Sequence, residues 1–179
     1  MNRERRHWVL AASVATAASA AGAGYALWRG RESRIALHSS VEEELWAASF
    51  DRPDGGRLHM SAVRGQPLVL NFWATWCPPC VREMPALDRF QRSFSDRGWR
   101  VLGLAADKPG PVRDFLAHSP VSYPIGLIGF EGIELSRRLG NLSGGLPFTV
   151  LFGRTGALLQ RRIGETSYEL LANWANGAG

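Results

Sequence analysis

Cysteine is nearly missing from this chain of 179 residues, which has two, Cys77 and Cys80. A structural zinc site needs four ligands, usually as two such pairs. The four histidines, His7, His38, His59 and His118, are not paired at ligand spacing, so no metal is expected. Lysine is nearly missing as well: Lys108 is the only one, and the net charge of +5 rests on arginines scattered along the chain. No basic run is interleaved with aromatics, as a nucleic-acid surface requires, so no nucleic-acid partner is expected. Repeats at solenoid spacing and a collagen-like period are also lacking. With 45% hydrophobic and 21% charged residues, the composition excludes disorder and suffices for one ordinary domain plus a leader.

The leader occupies residues 1–34. Arg3, Arg5 and Arg6 stand against Glu4, and Trp8 to Trp28 then run uncharged for 21 residues. That length crosses a bilayer at helical rise, and a tryptophan marks each end. Arg29, Arg31 and Arg34 follow, so arginines flank the run on both sides and leave orientation open. Nine of the 21 residues are alanine, and only Val9, Leu10, Val14 and Leu27 are strongly aliphatic. Such weak hydrophobicity suits a cleaved signal, with Ala18-Ser19-Ala20 and Ala21-Gly22-Ala23 as cleavage sites. Arg5-Arg6 before His7-Trp8-Val9-Leu10 resembles a twin-arginine export signal, with Glu4 where a serine is usual. The expectation is a transmembrane or signal segment that places the domain outside the cytoplasm, anchored through residues 8–28 or secreted.

Residues 35–45, with Glu42-Glu43-Glu44, read as a polar linker before the domain at 46–179. A strand at Trp46 to Phe50, a turn at Pro53-Asp54-Gly55-Gly56 and a strand at Leu58 to Met60 form a hairpin. Leu68-Val69-Leu70-Asn71-Phe72-Trp73 is the near-continuous apolar run of a strand buried on both faces. A helix from about Cys77 to Asp96 follows, with Leu87, Phe90 and Phe94 at core spacing and Gly98 as its stop. Trp99 to Ala105 reads as a strand, Pro111 opens a helix, Tyr123 to Ile128 is a strand and Ile133 to Leu139 a helix. Phe148 to Phe152 and Leu158 to Ile163 flank a hairpin turn, and Thr166 with Glu169 forms a capping box for the last helix. Strands alternating with helices, then a closing hairpin, predict an α/β fold: a mixed central sheet with helices on both faces.

A buried strand ending at Trp76-Cys77, with a helix starting at once, puts Cys77 at a helix N-terminus. Unpaired amides and the positive dipole end favour a thiolate there. Cys80 is near enough to close a disulfide, so Cys77 is the expected nucleophile and Cys80 the resolving thiol. Pro78 and Pro79 forfeit no helix bond in the first turn, but they remove two donors from the thiolate. Which redox state this favours does not follow. The alternative, a stapling disulfide, gains only about 2 kcal/mol from so short a loop.

Asn71-Phe72-Trp73-Ala74-Thr75-Trp76-Cys77-Pro78-Pro79-Cys80-Val81-Arg82-Glu83-Met84-Pro85 resembles the active-site segment of the TlpA/ResA-like thioredoxins. The resemblance runs from the hairpin near Phe50 to the last helix. It implies a thioredoxin fold and a thiol–disulfide oxidoreductase with no cofactor, on the periplasmic side of a bacterial inner membrane. Cys77, Cys80 and Glu83 are the expected catalytic residues; Trp76, Leu146 and Pro147 are the expected substrate-binding ones. Pro147, which alone would read as trans, matches the family's cis-proline facing the cysteines, leaving the Leu146 backbone for strand-like pairing with a substrate. Glu83 matches an acidic residue near the site in ResA-like members. Two roles stand for it: proton exchange with Cys80 one turn earlier, or service to the helix dipole. Asn71 stands where cytoplasmic-type thioredoxins carry a buried aspartate, which removes that proton route, and Pro85 matches the fold's helix-kinking proline.

The implied function is reduction of exported proteins, such as apocytochromes c or copper-site cysteines of a respiratory oxidase, by a monomer re-reduced by a membrane electron donor. A disulfide-forming oxidant and a copper-binding chaperone using His118 or His59 are the alternatives.

Overall fold

The computed structural model describes residues 25–29, 41–130 and 132–178, and the chain divides into two compact units, Met1–Ser40 and Val41–Gly179. Strands β1 (Ser49–Asp51), β2 (Arg57–His59), β3 (Leu68–Trp73), β4 (Arg100–Ala105), β5 (Ile125–Leu127), β6 (Phe148–Phe152) and β7 (Leu158–Ile163) form one sheet. Its order is β2-β1-β5-β4-β3-β6-β7. β3, β4 and β5 run parallel; β1 and β2 on one side, β6 and β7 on the other, are antiparallel. The helices are α1 (residues 41–47), α2 (Pro78–Phe94), α3 (Pro109–His118), α4 (Gly132–Arg138) and α5 (Tyr168–Gly177).

All six residues of β3 are buried, because helices cover both faces of the sheet. Alternation divides its side chains. Val69 and Trp73 join a core with Met84, Leu87 and Phe90 of α2, Val112 of α3 and Leu171 of α5. Leu68, Leu70 and Phe72 join the opposite core, with Leu45 and Trp46 of α1 and Leu139 after α4. The mixed sheet with helices on both faces is the predicted thioredoxin-like architecture, and the β1–β2 hairpin precedes it as expected.

The expected transmembrane or signal segment is a correction. Among the described residues no helix is long and apolar enough to cross a membrane. Of the run 8–28 only residues 25–28 are described, part of a helical turn (25–29) with exposed side chains; the remainder lies outside the described residues. With nine alanines the run offers little apolar surface per turn, so the placement anchored at the periplasmic face of an inner membrane loses its basis.

Smaller differences have local causes. The end of the expected linker is α1: Glu42, Glu43 and Glu44 precede Leu45 and Trp46, which are buried, and the Trp46 indole N–H donates to the Gly156 carbonyl at 3.0 Å. α3 opens two residues before Pro111, since Pro109 occupies the first turn, where its missing N–H is harmless. The last helix is capped by Ser167, whose hydroxyl accepts from the Leu170 N–H, rather than by Thr166.

Candidate active site

β3 carries the chain to the edge of the core and stops at Trp73, whose carbonyl still accepts from the Ala106 N–H at 2.8 Å. Residues 74–76 then turn the chain into α2. Asp107, at the carboxyl end of β4, holds that turn: its carboxylate accepts from the Thr75 N–H at 3.1 Å and from the Thr75 hydroxyl, and from the Lys108 N–H at 2.7 Å. Cys77 is the N-cap of α2 in extended conformation, with its Sγ accepting from the Cys80 N–H at 3.3 Å. Pro78 and Pro79 begin the helix without donors, so Cys80 supplies the first local amide. Cys77 and Cys80 are disulfide-bonded; Cys77 is 4% exposed and Cys80 fully buried, while Trp76 beside them is 55% exposed.

Glu83 follows Cys80 by three residues on the same helix and is 1% exposed. Asn71 Nδ2 donates to Oε1 at 2.7 Å, and the Thr166 backbone N–H donates to Oε2 at 2.6 Å. Burial dominates its proton affinity: despite these two donors, the carboxyl is pushed up to about 7. Glu165 adds to the rise and Arg162 opposes it. Asn71 lies on the β3 face turned towards α2 and donates also to Thr149 Oγ1, at 3.0 Å, on β6. The chemistry open to this arrangement is a redox-active sulfur pair with a buried carboxyl that changes charge near neutral pH.

The Leu146–Pro147 peptide bond is cis. Phe148 pairs with Phe72, so the ladder brings Pro147 to the level of Trp73, at the end of β3 from which the cysteine turn springs. Leu146 packs against the core cluster containing both cysteines. The Pro147 carbonyl accepts from the Gly164 N–H at 2.8 Å, and Asn141 Nδ2 holds the Gly145 carbonyl at 2.8 Å. Neither the N–H nor the C=O of Leu146 is bonded among the described residues.

The fold thus gathers Cys77, Cys80, Glu83, Leu146 and Pro147 around the carboxyl end of β3. His59, on edge strand β2, is four strand positions away, roughly 19 Å at sheet spacing. His118 ends α3 with its Nδ1 against the Asp114 carbonyl. Asp107 and Thr166 were not anticipated here. For Asp107 the available signal was an acidic residue at the carboxyl end of a neighbouring parallel strand, where α/β sheets place their sites.

A thioredoxin-type sheet with a bonded cysteine pair at the tip of its first long helix defines a thiol–disulfide oxidoreductase. Residues 41–172 match the Redoxin family model, and the chain belongs to that family, among its TlpA/ResA-like members. It is 27% identical over 154 residues to thiol-disulfide oxidoreductase ResA of Bacillus cereus, covering 84% of this chain and 85% of that one. It is 32% identical over 147 residues to thioredoxin-like protein YneN of Bacillus subtilis, covering 79% and 83%. Among solved structures, a thioredoxin-related protein from Neisseria meningitidis serogroup B superposes with a TM-score of 0.65 at 29% identity, covering 73% of this chain and 98% of that one. A thiol:disulfide interchange protein DsbE from Chlorobium tepidum gives 0.66 at 25% identity, covering 73% and 92%.

Proposed function

We propose that this oxidoreductase is a dithiol reductant of disulfides in exported proteins, of the kind presented by apocytochromes c or by the copper-site cysteines of an oxidase. The observation that carries the reading is the bonded Cys77–Cys80 pair at the tip of α2. Its direction and substrate class rest on the likeness to ResA and DsbE proteins.

In the proposed cycle the Cys77 thiolate attacks a substrate disulfide, forming a mixed disulfide and releasing one substrate thiolate. Cys80 then passes its proton to the Glu83 carboxylate and attacks Cys77 Sγ. The Cys77–Cys80 bond forms, the bond to the substrate breaks, and the substrate leaves with two electrons as a dithiol. An external thiol donor must reduce the pair again. Trp76 offers an exposed apolar face beside the sulfur, and the unbonded Leu146 backbone supports pairing with an extended substrate segment.

Cys77→Ser is expected to abolish insulin disulfide reduction, and Cys80→Ser to accumulate mixed disulfides that name the natural partner. The reduction potential is expected near the reductant landmark of about −270 mV. A value near about −120 mV, the mark of a strong oxidant, overturns the direction.

A further inference from the structure

The core between β3 and α2 contains three polar side chains that an apolar packing does not need. Asn71 and Thr149 are direct cross-strand partners on β3 and β6, both fully buried, and Glu83 reaches Asn71 from α2. The other five residues of β3 are apolar. Burying an amide costs free energy unless its groups are bonded, so its presence there calls for a use. The two hydrogens of Asn71 Nδ2 are both used, one on Glu83 Oε1 and one on Thr149 Oγ1. Thr149 thus shares the donor side of the amide with the carboxyl and helps to hold the side chain in place.

We propose that Asn71, oriented by Thr149, is a positioning residue that sets how tightly Glu83 holds its proton. The inference rests on the reading of Glu83 as the proton partner of Cys80 and names the residue that tunes it.

Two features separate this arrangement from a polar cluster that merely fixes strand register. First, the carboxylate form of Glu83 is held from both sides by N–H donors, Asn71 at Oε1 and the Thr166 backbone at Oε2. Second, each of those two residues keeps a buried oxygen without a partner, Asn71 Oδ1 and Thr166 Oγ1. A carboxylate accepts only, whereas a protonated carboxyl must also donate its O–H. The two N–H donors therefore serve the charged form, while the two unpartnered oxygens leave the cluster open rather than closed on itself.

The other charges around Glu83 do not single out a state. Arg162 of β7 favours the carboxylate and Glu165 disfavours it, while Glu165 is itself paired with Arg82 at 2.8 Å. On the β5 side the buried Tyr123 phenol stays neutral, raised by its own burial and by Glu83 and Asp88. Asn71 is the one neighbouring side chain that donates directly to the carboxylate among the described residues.

The test is titration of the Glu83 carboxyl by carbon-13 NMR in the oxidised protein, where neither cysteine titrates. Removing a donor to a buried carboxylate in Asn71→Leu is expected to raise the midpoint by about one to two pH units. Thr149→Val, which leaves the donor but frees its orientation, is expected to move it less in the same direction, and carries the test where the leucine variant does not fold. Unchanged midpoints in the folded variants overturn the proposal. The alkylation of Cys80 by iodoacetamide, in the reduced Cys77→Ser background, is followed over pH alongside. A Cys80 profile that moves with Glu83 supports both steps. A Glu83 midpoint that moves while Cys80 does not leaves Asn71 its hold on the carboxyl and overturns Glu83 as the proton partner.

Discussion

Asp107 accepts hydrogen bonds from a residue 32 positions earlier in the chain, and the shape of the active-site turn hangs on them. In Asp107→Ala the Thr75 N–H loses its acceptor in a part-buried site, so a stability loss of about 2 kcal/mol is expected from urea unfolding of the oxidised protein. Insulin reduction is expected to slow as well, since the turn delivers Cys77 to the helix tip. Residues such as this one mark where sequence reading stops. Cys77 and Cys80 are legible because their signal is local, a spacing of three at a strand-to-helix turn. Glu83 and Pro147 are reached through the family resemblance, since a proline before an apolar run would by itself read as trans. The contacts Asn71 makes with Thr149, across 78 residues, and Thr75 with Asp107 depend on strand order, which no local pattern encodes.

At the scale of elements, local patterning specifies what is amphipathic or uniformly buried. β3 and β6 lie where their apolar runs place them, because hydrophobic continuity coincides with the burial they find. The mostly exposed β7 is placed instead by the turn before it and its pairing with β6. α1 was hidden because its three glutamates mask Leu45 and Trp46, two side chains that reach the core only once the Gly156 turn is folded against them. The start of α5 shows a tertiary contact overriding a motif. Thr166-Ser167-Tyr168-Glu169 offers two capping residues, and the Thr166 N–H is drawn to Glu83 Oε2, leaving Ser167 to cap. Ser167→Ala is therefore expected to cost about 1 kcal/mol in thermal or urea unfolding. Thr166→Val removes a hydroxyl that has no partner and is expected to be near neutral for stability. The reverse ranking restores the capping box at Thr166.

For the molecule as a whole, the buried carboxyl at Glu83 ties stability to pH. Glu83 binds its proton more tightly folded, at about 7, than its ordinary value of 4.5. Its contribution is accordingly full below about 4.5 and is lost as pH rises through about 7, because ionisation must then occur in the core. Asp88 acts in the opposite sense: burial pushes it up, but the Ser122 hydrogen bonds and Arg92 outweigh this and hold it below its ordinary value. The stability from Asp88 is present above its unfolded value and lost only as pH falls further, so it is constant between pH 5 and 8. Comparison with Glu83→Gln isolates the carboxyl from every other group. Urea unfolding of the oxidised proteins is expected to show the wild type losing on the order of 2–3 kcal/mol more than the variant between pH 5 and pH 8. Parallel pH dependences would place the Glu83 titration outside that window, and with it the proton acceptor that the resolving step of Cys80 requires.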